Sequence, residues 1–117
     1  MADAALVVGW NRAVVGREQT ALELFGESLA LYGRLVAEKK LESFEPVFLA
    51  PHGGDLGGFI LIRGSGAQID AFRRSHDFES LMTRGLLNIE GLGAIDGWVG
   101  DGIQRIMGIY TAALAKK

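Results

Sequence analysis

Halfway along the chain, the run Pro51-His-Gly-Gly-Asp-Leu-Gly-Gly58 separates two segments rich in β-branched and aromatic residues. Glycine admits turn conformations closed to other residues and proline ends regular structure, so the run is a loop and its flanks predict a β-hairpin. The remaining elements must be arranged around an antiparallel pair at the centre of the chain. Its first arm, Ser43 to Ala50, alternates Phe44, Pro46 and Phe48 against Glu45, Val47 and Leu49. Pro46 has no N–H to give to a ladder, which predicts an edge strand or a bulged one. The second arm, Phe59-Ile-Leu-Ile62, is apolar without interruption.

Upstream, Ala5 to Asn11 is a Val-rich run of strand length carrying Trp10 near its end. Gly16 then offers a helix start, with Glu18 and Gln19 in the first turn, where negative charge and a back-reaching amide are favourable. Leu22, Phe25, Leu29, Tyr32 and Leu35 or Val36 recur at helical spacing and predict one amphipathic helix. Downstream of the hairpin, Ser65 and Gln68 have capping-box spacing ahead of Ile69 and Phe72. After a break near Ser75 to Asp77, with Asp77 as a second N-cap, the pattern resumes at Phe78, Leu81, Met82 and Leu86. Ile89 to Val99 predicts a fourth strand, weakened or bulged at Gly93 and Gly97. Asp101, followed by Gln104, opens a last helix with Ile103, Ile106 or Met107, Tyr110 and Leu114 along one face.

The order is βαββαβ with an added C-terminal helix. It predicts an α+β, ferredoxin-like architecture in which two helices cover one face of a four-stranded antiparallel sheet, as a single domain over residues 1–117. A different α+β sandwich is the alternative. In a monomer the other face of such a sheet should be polar. Here Leu6 and Val8 oppose Val7, Phe44 and Phe48 oppose Val47 and Leu49, and Phe59 and Leu61 oppose Ile60 and Ile62. Two apolar faces predict a homodimer through the sheet face, unless the last helix folds across it and completes the monomer.

Charge narrows function by exclusion. The chain has 12 Lys and Arg against 14 Asp and Glu, and neither sign gathers into a block longer than a pair. Phosphate backbones require a concentrated basic surface, so no nucleic-acid partner is expected. Without cysteine there are no disulfides, thiolate metal sites or thiol nucleophiles. The N-terminal Met-Ala-Asp-Ala-Ala-Leu has no basic region, and no stretch reaches the ~20 apolar residues that cross a bilayer. A cytoplasmic protein with no membrane partner is expected.

His52 and His76 carry the only side chains whose ordinary titration lies near neutrality, which makes them the candidates for general acid–base catalysis. His52 sits in the glycine-rich loop with Asp55 close enough in sequence to orient it, and His76 stands beside Asp77 at the helix break. The simpler account of both is an exposed side chain. No recognised metal spacing surrounds them, and neither a metal nor a cofactor is expected. The 17 glycines form neither a dinucleotide fingerprint nor a P-loop, and no nucleophile elbow is present. Trp10 and Trp98 fall near the ends of two strands expected to be central neighbours. With Arg12, Tyr32 and Phe48 they would line an apolar pocket with one cationic contact, suited to a flat aromatic or acidic ligand. Arg63, directly after the buried third strand, either anchors an anion there or leaves the sheet for solvent.

The strand ending in Gly9-Trp10-Asn11-Arg12, the helix opening Gly16-Arg17-Glu18, the Phe44-Glu-Pro-Val47 strand and the Pro51-His-Gly-Gly-Asp55 loop carry a family likeness. In this βαββαβ order they resemble an uncharacterised bacterial branch of the dimeric α+β barrel superfamily, over nearly the whole chain. The resemblance implies a pocket between the helices and the sheet of each subunit. The superfamily includes cofactor-free monooxygenases, haem-degrading enzymes and muconolactone isomerase-like proteins, and none of their catalytic patterns maps onto these residues. Three functions stand as expectations. The first is a domain that binds a small hydrophobic or aromatic molecule unchanged. The second is a cofactor-independent monooxygenase or isomerase using His52 or His76 with Arg12, and the third a dimeric interaction module without a ligand. A titratable group aimed into the pocket separates the second from the first.

Overall fold

The computed structural model describes residues 2–116. The Val- and Ile-rich runs take the centre of a four-stranded antiparallel sheet. In it β1 (Ala4–Trp10) lies between β4 (Gly58–Gly64) and β6 (Gly93–Trp98), with β3 (Ser43–Phe48) outside β4. The proline-bearing strand thus falls at an edge, where a missing ladder bond does least harm. Along β1, Leu6 lies opposite Ile62 and Asp96, and Val8 opposite Ile60 and Ala94. Leu6, Val8, Ile60 and Ile62 are buried and form the sheet's contribution to the core.

Three helices cover that face: α1 (Glu18–Ala37), then α2 (Gly66–Arg73) and, after a short break, α3 (His76–Asn88). In α1 the buried residues are Ala21, Leu24, Leu31 and Tyr32, and Leu22, expected at the head of the stripe, is exposed. Steps of three and four also join Ala21, Leu24, Ser28, Leu31 and Leu35, but a pattern that counts only large apolar residues passes over Ala21 and Ser28. At the helix start it is the Glu18 carboxylate that reaches back, accepting from the Gly16 N–H at 2.9 Å, and Gln19 instead donates to Glu23. The capping box of α2 forms as expected: the Gln68 N–H donates to Ser65 Oγ at 3.1 Å, and the Ser65 N–H donates to Gln68 Oε1 at 2.8 Å. The second N-cap is Ser75 rather than Asp77, since Ser75 Oγ accepts from the Phe78 N–H. Asp77 stands one residue inside the first turn, where its carboxylate pairs with Arg34 at 3.2 Å.

The segment expected as one bulged strand is two strands with a turn between them. Ile89–Glu90 (β5) pairs with the two-residue β2 (Arg12–Ala13), the chain turns at Gly91 with φ of 69°, and β6 then joins β1. Glycine enters that left-handed conformation at no steric cost. Further polar clamps join α1 and the residue that caps it to α3: Arg84 donates to both carboxylate oxygens of Glu27 at 2.8 and 3.2 Å, and Arg17 donates to Asn88 Oδ1 at 3.1 Å.

On the opposite face, Ile95, Val7 and Leu61 form one row across three strands, with Phe59 and Val47 in the next. The last helix, α4 (Asp101–Lys116), does not cross this face. Its first turn packs at the end of β6, with Gly102 so close to the Asp3 carbonyl that a Cβ would not fit, and Ile95 remains 68% exposed. Among the described residues, no helix is long and apolar enough to cross a membrane.

Candidate functional site

Trp10 is the last residue of β1 on the helix side, and its partner on β4 is Gly58. A Cβ at that position would stand 2.7 Å from the indole, so glycine there lets the ring lie over the strand. Phe25 from α1 and Phe48 from β3 close on it, with centroids 5.9 and 5.8 Å from the indole and interplanar angles of 69° and 88°. These edge-to-face arrangements suit the quadrupoles of the rings. The cluster walls one side of a cavity of about 230 Å³ between α1, α3 and the sheet.

The void arises because small residues meet there: α1 presents Ala21 and Ser28, and α3 presents Gly85. A Cβ on Gly85 would run into the Leu92 side chain, so that glycine also lets Leu92 close the wall. Val8, Ile60, Leu24, Leu81 and Met82 supply the rest of the apolar lining, and the exposed Arg12, Glu18 and Leu22 mark the mouth. Deep in the cavity the polar groups are few. Ser28 donates to the Leu24 carbonyl at 2.8 Å. Tyr32 is 2% exposed and boxed by Phe44 and Phe72. Burial pushes its phenol up to about 12, with the Ser28 hydroxyl pulling the other way. At neutral pH it is a hydrogen-bonding group and not a base.

At the mouth, Arg12 donates to Glu90 at 2.8 Å across the β2–β5 pair, and the hydrogen bond and charge of that carboxylate hold the guanidinium more firmly protonated. Glu18 is engaged by the Gly16 N–H. Neither histidine lines the cavity. His52 is fixed by backbone rather than by Asp55: the Gly54 N–H donates to Nδ1, which leaves the proton on Nε2 to donate to the Leu56 carbonyl at 2.7 Å. His76 opens α3 and faces a separate groove with Arg34, Asp77 and Arg84.

No protein-family model matches the chain, and no curated protein does. Solved structures do. A protein of unknown function from Nitrosomonas europaea superposes with a TM-score of 0.61 at 17% identity, over 85% of this chain and 90% of its own. A dimeric protein of unknown function and ferredoxin-like fold from Bacteroides fragilis gives 0.60 at 10% identity, over 83% and 96%. A dimeric ferredoxin-like protein of unknown function from Jannaschia gives 0.63 at 13% identity, over 84% and 98%. The fold is ferredoxin-like.

Within that ferredoxin-like frame, Trp10, Arg12, Tyr32 and Phe48 border one cavity, and Trp98 and Arg63 lie away from it. Trp98 pairs with Ala4, at the opposite end of β1 from Trp10, because antiparallel neighbours bring a C-terminal end beside an N-terminal one. It is on an edge strand and not a central one. Arg63 points to the outer face and pairs with Glu45 on β3 at 3.4 Å. Sequence reasoning missed Phe25, Ser28, Met82 and Leu92 as lining residues. Ser28 carried a signal, since a small polar residue lies at helical spacing inside an apolar stripe.

Proposed function

We propose that the chain forms a homodimer through its sheet face, and that each subunit's cavity binds a small hydrophobic or aromatic molecule without altering it. The observation that carries the binding reading is the cavity of about 230 Å³, walled by Trp10, Phe25 and Phe48. An apolar cavity of about 150 Å³ takes up benzene, so this one has room for a two-ring aromatic or a short acyl group. Ser28 and Tyr32 offer that molecule one polar contact at the deep end. The chemistry of the lining supports binding over proton transfer, because Tyr32 stays neutral well above physiological pH and Arg12 and Glu18 already have partners.

The test is a titration with naphthol, followed by tryptophan emission in a Trp98→Phe variant so that Trp10 alone reports. Saturable quenching is expected, and Ala21→Phe, which fills the cavity, should weaken it at least about tenfold. Emission that does not respond, together with no retained mass in native mass spectrometry of the protein taken from cells, would sink the binding reading.

The dimer reading rests on the outward row of Ile95, Val7 and Leu61, an apolar patch that self-pairing would bury in one isologous contact. Sedimentation equilibrium should give a dimer for the native chain and a monomer for Leu61→Arg, which sets a guanidinium beside Glu45 in a face that pairing would have to strip of water.

A further inference from the structure

Helix α4 has 16 residues, and among them only Gly102 is buried and Ile106 partly so. Isolated helices of that length are marginal in water, and helices in proteins are held mainly by packing of an apolar face. Ile103, Met107, Tyr110 and Leu114 make such a face at steps of four, three and four, and each is at least half exposed. The chain's radius of gyration is 16.0 Å, against about 13 Å for a compact chain of this length. The helix therefore stands out from the body as an arm whose support comes from outside its own chain.

A lipid surface is a poor occupant, because interfacial helices carry a rim of lysine and arginine and the described part of α4 has only Arg105 and Lys116. Dimension points to a second copy. Four strands spaced about 4.8 Å apart and about 20 Å long present roughly 400 Å² of flat face, where a stable pairing covers about 800 Å² on each partner. The sheet face alone falls short, and the arm, about 24 Å long, lies next in sequence to the edge strand of that face. We propose that α4 of each copy packs its Ile103, Met107, Tyr110 and Leu114 stripe against the other copy, extending the sheet-to-sheet contact. The inference rests on the dimer reading above.

The experiment uses the full chain with Met107→Glu and Tyr110→Glu together, both on a surface where the lone monomer loses no packing. The dimer dissociation constant from sedimentation equilibrium should rise about 100-fold, with the circular dichroism of the β-sheet core unchanged. Hydrogen exchange on the native chain supplies a second readout: α4 amides should be protected at concentrations where the dimer forms and lose protection on dilution to monomer. A dimer that Leu61→Arg breaks and the α4 variant leaves intact would overturn the arm and keep the sheet pairing. Equal α4 protection in monomer and dimer would overturn it as well, and a native chain that is monomeric throughout would overturn both.

Discussion

Leu6→Ala is expected to lower the unfolding free energy by about 3–4 kcal/mol and the melting temperature by about 12–16 °C. Leu6 is 0% exposed and stands at the middle of the central strand, between Ile62 and Asp96 across the sheet. Removing its side chain forfeits the transfer free energy of three carbons and leaves a void, because β1 is tied on both sides by ladder hydrogen bonds and cannot shift to fill it. Urea unfolding followed by circular dichroism measures the loss. The informative comparison is inside α1. Leu24→Ala, at a buried position, should cost about 2–3 kcal/mol, and Leu22→Ala, at an exposed one, under about 0.5 kcal/mol. Equal losses at Leu22 and Leu24 would mean that the helix is rotated from the orientation that creates the cavity.

That contrast marks where sequence reasoning succeeded and where it did not. Features that depend on a residue's own covalent chemistry were legible: Pro46 on an edge strand, the reciprocal Ser65 and Gln68 cap, and the glycine-rich hairpin loop. Features that depend on a choice between near-equivalent local states were not. Along α1 the expected Phe25, Leu29, Tyr32, Leu35 and Val36 do pack on the core, and only the head of the stripe differs, where Ala21 and Leu24 are buried in place of Leu22. Gly91 looks like a glycine within a strand until its positive φ shows it to be a turn between β5 and β6. Ser75 and Asp77 are both good N-caps, and the one that frees the Asp77 carboxylate for Arg34 is the one used.

The site was legible by half for a related reason. Trp10, Tyr32 and Phe48 could be gathered because they lie on the helix side of their elements or, for Tyr32, on the helix stripe. The grouping of Trp10 with Trp98 ignored strand direction, which places them at opposite ends of the sheet. A cavity is also a property of what is missing, and Ala21, Ser28 and Gly85 draw no attention in a search for large or reactive side chains. The same economy bears on function. The two histidines are the first candidates for acid–base chemistry, yet one serves as a staple for a loop and the other opens a helix, and the deep end of the pocket is left with the hydroxyls of Ser28 and Tyr32.

Tyr32 gives that burial a thermodynamic signature. Burial disfavours the phenolate and pushes the phenol up to about 12 in the folded chain, against the ordinary value of about 10. Below pH 10 both folded and unfolded chains hold the proton, and the full stability is present. Between pH 10 and 12 the unfolded chain releases it first, so the folded state loses stability as pH rises. The loss at the top of that window is about 2–3 kcal/mol. Tyr32→Phe keeps the ring packed against Phe44 and Phe72 and has no proton to lose, so its urea midpoint should fall less steeply over the same window than that of the native chain. In a Tyr110→Phe background Tyr32 is the one remaining tyrosine, and ultraviolet difference absorbance then follows its ionisation directly. A midpoint near 10 in that titration would mean that water reaches the hydroxyl and that the cavity is wet at its deep end. A midpoint near 12, moved higher by saturating naphthalene, which has no proton of its own to lose, would place the bound ring against Tyr32 itself, because a ligand that displaces the remaining water deepens the desolvation that sets the shift.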